Sequence, residues 1–366
     1  MSVRRFAKIS DDALADLRLR IGDIAEDDPY IRVASRDAIR HFAEGIGDPN
    51  SLWLDEAYAR GTRWRTLVAP PTFLFAASRV LSGYVGGLPG IHAMFAGAHF
   101  RCQRPVQVDD ELRSEARLKD AVEKHTQFSG RSVQQTYSVR FTDEHGDLIA
   151  DCDSWCFRTE RDTARRRGKY RPVKPHVYSD AELERIWQDY ETEEVRGATP
   201  RYREDVTVGE DLTPVVKGPW TPTASIAFLL GWGGLYVRAH RLAFEQYRRH
   251  PALAVANEQN VPEPPERVHW DSSFARQVGV PAAYDYGPER VAWMGHLLTN
   301  WIGDDGFLRE LYVEIRRHNM VGDTTWCRGR VAAREEGLIR LDLWAENQRG
   351  ETTVTGWAVA ELPRRG

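Results

Sequence analysis

Three sets of residues in this 366-residue chain have types and spacing that could do chemistry. Cys152-x3-Cys156 could offer two thiolates to a metal, and Gly83-Tyr-Val-Gly-Gly-Leu-Pro-Gly90 could cradle a phosphate. The histidines could move protons, because an imidazole with an ordinary pKa of about 6.5 has both protonation states within reach. The first two sets fall away. Leu148-Ile149-Ala150 and Trp155-Phe157 read as a strand, the even spacing puts both thiols on one face, and no second pair completes a zinc site. Cys152 and Cys156 are therefore expected to pack as small hydrophobes, and with Cys102 and Cys327 they are too few and too scattered for a disulfide framework. The Gly-rich run lacks the Gly-x-Gly-x-x-Gly order, a Lys-Ser/Thr ending and a preceding parallel strand. No Gly-x-Ser-x-Gly elbow is present either. What remains is imidazole.

Among the histidines, His41 and His296 lie in helical patterns at the edge of a core, and His92, His99, His145, His176, His250 and His318 lie in loops or strand edges without a supporting motif. His240 stands beside the Gly-rich turn Gly231-Trp-Gly-Gly234, among Arg238, Arg241 and Arg248, and can be read as entering a pocket or as part of a solvated face. His269 is different. It stands in Val268-His269-Trp270-Asp271, two residues before a helix start.

That helix start is one half of an internal repeat. Asp55-Glu-Ala-Tyr-Ala-Arg60 and Asp271-Ser-Ser-Phe-Ala-Arg276 share the pattern Asp-x-x-aromatic-Ala-Arg at a separation of 216 positions. Asp is a good N-cap, since its carboxylate accepts from an unpaired amide of the first turn. Each copy is followed by a Pro-containing turn, a second apolar run, then alternating stretches and hairpins that turn at polar corners with Gly, around Tyr137–Ile149 and Leu341–Thr353. Helix first and antiparallel meander second, twice over, predicts an α+β module duplicated in tandem. The boundaries fall at residues 1–165 for the first module and 201–366 for the second. Between them, at 166–200, lie a linker, preceded by a charged run from Arg161, and a connecting helix from Ser179 to roughly Glu194. The basic run could also hold phosphates.

Composition narrows the function. Fifty Lys+Arg against 54 Asp+Glu give a formal charge of −4, without the basic excess that neutralises nucleic-acid phosphates. No run approaches the roughly 18 apolar residues of a membrane span, and four scattered cysteines suit a reducing cytoplasm, so a cytoplasmic location is expected. The polar start Met1-Ser-Val-Arg-Arg-Phe has no apolar stretch resembling a secretory signal.

Gly47-Asp-Pro-Asn-Ser-Leu-Trp-Leu-Asp55 resembles the MaoC-like or hydratase-2 hot-dog signature, Gly-Asp-x-Asn-Pro-apolar-His-x-Asp, in which Asp and His flank one water. Gly47, Asp48 and Asn50 match, whereas Trp53 stands at the His position and Ser51 at the Pro, so the first module is similar to the family's degenerate halves and Asp48 reads as a turn carboxylate. The second half resembles the complement: His269-x-Asp271 with a later Gly287. By that resemblance His269 transfers protons and the Gly287 amide holds the thioester oxygen, Pro288 having no N–H to add. Gly234 stands at the Asp position, which an insertion from Leu235 to about Pro265 separates from His269. A carboxylate from Glu258, Glu263 or Glu266 would have to replace the missing Asp, with Glu266 the nearest; alternatively the pair is lost and the site only binds. Tyr284 and Tyr286 flank the Gly287 turn and could line an acyl pocket.

The resemblance implies a double hot-dog fold, each module an antiparallel sheet wrapped around a long central helix, and the two sheets continuous. It implies an enoyl-CoA hydratase or 3-hydroxyacyl-CoA dehydratase, adding or removing water across the 2,3 bond, with no metal and no cofactor beyond the coenzyme A or acyl-carrier thioester of its substrate. Back-to-back pairing into a homodimer follows from the same likeness. Two other readings stay open: a non-catalytic acyl-thioester-binding subunit of a heteromeric dehydratase, and a hot-dog thioesterase. The second needs a carboxylate on the central helix, where the helix after Asp271 offers only Ser272, Ser273 and Gln277 early on.

Overall fold

The computed structural model describes residues 7–126, 130–160, 176–335 and 337–365. The first half contributes α1 (Asp11–Leu19), β1 (Ile24–Ala25), α2 (Arg36–Ile46), α3 (Ser51–Leu54) and α4 (Glu56–Gly61). The strands β2 (His92–Cys102), β3 (Arg113–Thr126), β4 (Gly130–Thr142) and β5 (Leu148–Thr159) follow. A connecting helix, α5 (Asp180–Glu191), begins at Ser179 in a capping box with Glu182. The second half contributes β6 (Val215–Lys217), α6 (Pro222–Trp232), α7 (His240–Arg249), the short pair β7 (Val255–Ala256) and β8 (Pro262–Glu263), α8 (Ser272–Gln277) and α9 (Gly287–Ile302). It ends with β9 (Phe307–Ile315), β10 (Thr325–Glu335), β11 (Leu338–Asn347) and β12 (Thr352–Glu361).

Ten of these strands form one antiparallel sheet in the order β1-β3-β4-β5-β2-β9-β12-β11-β10-β6. The seam is β2 against β9, with Gly97 opposite Glu314 and Arg101 opposite Glu310, so the continuous sheet implied by the family resemblance is realised. Gly97 is required there: a Cβ would meet the Trp155 ring at 2.2 Å and the Val313 carbonyl at 2.4 Å. On the inner face Leu308, Leu311 and Val313 of β9 join Ala98 and Phe100 of β2 in a core shared by both modules. All four cysteines are buried and free, and burial pushes the Cys156 and Cys327 thiols up to about 12, as expected of packed hydrophobes.

The repeat is visible as packed geometry. α2 and α6 lie against each other, and their glycines permit it: a Cβ on Gly45 would meet the Ala227 carbonyl at 2.9 Å, and one on Gly231 would meet the His41 carbonyl at 2.4 Å. Each helix ends in a left-handed glycine, Gly47 or Gly233. Gly45 and Gly231 stand 186 positions apart, whereas Asp55 and Asp271 stand 216 apart, so 30 residues enter the second copy between these landmarks. That insertion holds α7 and the β7–β8 pair.

The central helices are unequal. α9 is 16 residues long and buried from Pro288 to Ile302. The corresponding part of the first module, expected to be a long helix too, is a 3-10 turn at Phe73–Phe75 followed by further turns. Pro70 and Pro71 withhold two amides at its start. Asp27 then fixes the irregular backbone, accepting from Ser78 Oγ at 2.5 Å, Arg79 N at 2.9 Å and Ser114 Oγ at 3.0 Å. The charged run from Arg161 and the 165/166 boundary fall largely among residues 161–175, outside the described residues.

Candidate active site

Asp55 and Asp271 cap their helices in the same way. Asp55 Oδ1 accepts from Ala57 N at 2.8 Å and Tyr58 N at 3.1 Å, and Asp271 Oδ1 from Ser273 N at 2.7 Å and Phe274 N at 3.1 Å. Two residues before each cap stand Trp53 and His269, so the fold puts the second module's imidazole where the first module has an indole.

His269 ends a 3-10 turn, Pro265–His269, and packs against the loop that leads into α9. Its Nδ1 lies 2.7 Å from the Tyr284 carbonyl oxygen, which can only accept; Nδ1 therefore carries the proton and Nε2 the lone pair in the neutral ring. The ring stacks on Tyr286 with centroids 3.8 Å apart and meets Tyr284 edge-on at 4.7 Å. Desolvation in this aromatic setting lowers the His269 pKa to about 4 against the pull of the backbone at Tyr284 and Asp285. His269 is neutral near pH 7.

Glu266 lies one 3-10 turn before His269, a spacing at which side chains eclipse. A Cβ on Gly234 would meet Glu266 Oε1 at 2.9 Å, so the carboxylate occupies the place left by the absent signature Asp. It is turned away from the imidazole. Glu266 accepts from Leu235 N at 3.1 Å, Tyr236 N at 2.7 Å and Tyr286 Oη at 3.2 Å. Burial still raises its pKa. Tyr286 thus lies between the two groups, its ring on His269 and its hydroxyl on Glu266. Among the described residues no Asp or Glu pairs with His269, whereas His99, His145, His176 and His296 each have a carboxylate nearby.

Gly287 is the first residue of α9, so its amide points out of the helix N-terminus, and no acceptor for it is found among the described residues. The Phe95 ring covers its Cα, where a Cβ would come within 2.4 Å. The loop carrying Tyr284 is fixed from behind. Arg290 donates to Asp285 Oδ1 at 2.7 Å with both side chains buried; Asp285 N reaches the Asn319 carbonyl at 3.1 Å, and Val321 N the Ala283 carbonyl at 2.8 Å. Arg290 also donates to the Arg317 and Thr353 carbonyls. The five residues singled out in the sequence, His269, Glu266, Gly287, Tyr284 and Tyr286, therefore form one contiguous cluster.

Other expectations need correction. The helix after Asp271 is only six residues long; the central helix is α9, and it does carry a carboxylate. Glu289 is buried, with its pKa pushed up to about 8 by desolvation, and both oxygens are engaged, by Trp220 Nε1 at 3.1 Å and Tyr286 N at 3.3 Å. His296, placed by its helical pattern at a core edge, is fully buried 3.6 Å from Asp48. Asp48 does shape its turn, accepting from Asn50 N at 3.1 Å, but it also faces His296 across the module junction. Nothing local in the sequence signals that contact, which joins positions 248 residues apart. His240 is exposed at the start of α7. Among the described residues no group of His, Cys, Asp and Glu could hold a metal, and no helix is long and apolar enough to cross a membrane.

Comparison with known proteins bears on the family and the fold. Residues 26–152 match the family model described as the FAS1-like dehydratase domain region. A UPF0336 protein of Parafrankia sp. (strain EAN1pec) is 33% identical over 137 residues, 35% of this chain and 84% of the relative. The chain belongs with the UPF0336 proteins, and its fold is that of the MaoC-like hot-dog dehydratases. A UPF0336 protein of Streptomyces avermitilis is 36% identical over 90 residues, a match spanning 23% of this chain and 59% of that relative's length. Among solved structures, one titled a MaoC-like dehydratase superposes with a TM-score of 0.68 at 15% identity, covering 95% of this chain and 100% of that one. A conserved hypothetical protein of Mycobacterium tuberculosis, described as having a double hotdog fold, superposes with a TM-score of 0.53 at 11% identity, covering 90% and 92%. These MaoC-like neighbours share the double hot-dog fold of this chain.

Proposed function

We propose that the second module of this MaoC-like protein is an acyl-thioester hydratase and dehydratase site in which His269 carries the proton. The observation that supports this most directly is the neutral imidazole, held by Nδ1–H on the Tyr284 carbonyl with its Nε2 lone pair available, beside the unpaired Gly287 amide at the mouth of a buried helix. In hydration, Nε2 takes a proton from water as the water oxygen bonds to C3 of the enoyl group. The electron pair of the double bond moves toward the thioester carbonyl, whose oxygen the Gly287 N–H and the α9 dipole stabilise. His269 then returns its proton to C2, and atoms and charge balance. Dehydration is the reverse.

Glu266 serves this reading as a positioning group. Its oxygens hold the backbone at Leu235 and Tyr236 and the Tyr286 hydroxyl, and Tyr286 sets the plane of the imidazole. Arg290 and Asp285 hold the carbonyl that fixes the His269 tautomer. Delivery of the substrate as a coenzyme A or carrier-protein ester, and pairing of two chains back to back, belong to the same proposal.

That no carboxylate among the described residues pairs with His269 favours a second reading, in which the site binds an acyl thioester without converting it. One experiment separates the two. Purified protein is assayed with short and long 2-enoyl-CoA esters by the loss of enoyl absorbance, beside a His269→Ala variant of unchanged circular dichroism. Turnover lost in the variant supports the hydratase. Saturable ester binding without turnover in the parent supports the binder, and turnover unchanged in the variant rejects the role given to His269.

A further inference from the structure

The first module's signature lost its imidazole to Trp53, yet its carboxylate has not been left without one. His296, on α9 of the second module, brings Nε2 to 3.6 Å from Asp48 Oδ1, with both side chains at most 1% exposed. Lys217, on β6, stands behind the ring: Nζ lies 2.8 Å from His296 Nδ1, 2.8 Å from the Ile46 carbonyl and 3.0 Å from the Gly47 carbonyl. Those are three acceptors for the three N–H bonds of an ammonium, which also sits at the negative end of α2. With Nδ1 accepting from Lys217, the neutral imidazole carries its proton on Nε2, the atom that faces Asp48.

Unpaired polar atoms gather at this point. Asp48 Oδ2, Trp53 Nε1 and His296 Nε2 are all buried without a hydrogen-bond partner, as are both amide atoms of Asn300, one helical turn beyond His296 on α9. Burial raises the Asp48 pKa to about 6, against the pull of Lys217, of the Asn50 amide and of the Trp53 indole that faces the carboxylate. Buried polar atoms left unpaired are costly, so Asp48, Trp53 and His296 together call for a partner. The donor and acceptor types suit one water: it can accept from Trp53 Nε1–H and His296 Nε2–H and donate to Asp48 Oδ2.

We propose that the first module holds a buried water between Asp48, Trp53 and His296, so that a carboxylate–water–imidazole centre survives there with its imidazole supplied by the other module. Lys217, His296, the water and Asp48 then form a continuous hydrogen-bonded chain across the junction. This stands independently of the reading given to His269.

A crystal structure of the full chain at high resolution tests it, with a solvent peak expected within about 3.2 Å of Asp48 Oδ2 and of Trp53 Nε1 or His296 Nε2. A direct Asp48–Trp53 or Asp48–His296 hydrogen bond with no such peak overturns it. In solution, the Trp53 indole N–H, assigned with Trp53→Phe, is expected to cross-relax with a long-lived water, and to lose that signal in Asp48→Asn. Should Asp48→Asn not fold, the measurement on the parent still decides: a long-lived water at Trp53 supports the proposal, and none overturns it.

Discussion

The two modules share a helix-capping Asp, a left-handed glycine and an antiparallel run of strands, and differ in what each does with its signature. In the first, the turn keeps Asp48 but closes it into the junction, where Lys217 and His296 of the other module face it. In the second, the turn has Gly234 at that place, an insertion of 30 residues follows, and Glu266 fills the gap from the far side. The difference teaches that a duplicated site can be redistributed rather than erased. The carboxylate stays with one copy and the imidazole with the other, and each gains a substitute partner from elsewhere in the chain.

Exchanging the residues at the shared position is the strongest way to break that comparison. His269→Ala is expected to lower kcat/KM for enoyl-CoA hydration by about 10²–10⁴-fold, the usual worth of a positioned acid–base group. Trp53→His, which restores the signature spacing in the first module, should give no detectable turnover in the His269→Ala background, because Asp48 is enclosed with Lys217 and His296. Measurable recovery would mean the first site is open to substrate. The pH profile sharpens the same contrast. With a His269 pKa of about 4, kcat/KM should stay level through neutral pH and fall only as pH approaches 4. The stability sign follows: an unfolded imidazole at about 6.5 binds protons that the folded one refuses, so this residue's stabilising contribution declines as pH drops from about 6.5 toward 4. Replacing His269 by Phe should flatten that part of the urea-denaturation profile, leaving the share due to His296, whose pKa is also lowered by burial and Lys217.

The support behind the second site is next in size. Arg290→Met leaves Asp285 buried without its cationic partner, with only Asn319 Nδ2 donating to it, and should cost about 3–5 kcal/mol in urea denaturation while loosening the loop that carries the Tyr284 carbonyl. Glu266→Gln places an amide donor among three donors, and a loss of about 1–3 kcal/mol is expected by the same measurement. The smallest effect belongs to what the modules have in common. Asp55→Ala and Asp271→Ala should each cost about 1 kcal/mol, and nearly the same, since the two caps have matching geometry. Unequal losses would show that Asp271, which also lies near Arg267, does more than cap.

Much of this was readable before any coordinates. Asp-x-x-aromatic-Ala-Arg occurring twice located both capped helices, because a cap is a local interaction between neighbouring residues. Alternation in the strands anticipated an antiparallel meander in each half, the resemblance joined the two into one sheet, and His269, Tyr284, Tyr286 and Gly287 emerged as neighbours because a short connection holds them together. The long first-module helix was not readable: the apolar run after Pro71 suits a helix or buried turns, and Asp27, distant in sequence, selects the turns. The direction of Glu266 was equally hidden. Its nearness to His269 in sequence suggested a pair, and the two amides of the insertion drew it away.

By itself, then, the order of residues determined the duplication, the helix caps, the sheet and the segment that carries the imidazole, all consequences of periodicity and of contacts a few positions long. Tertiary structure alone decided which proton acceptor meets which donor: that Nδ1 of His269 is satisfied by a carbonyl, that Glu266 serves backbone amides, and that Asp48 meets His296 from the opposite module. Charge and hydrogen-bond pairing in a dry interior depend on distances of a few ångströms between groups far apart along the chain, and only packing sets those distances.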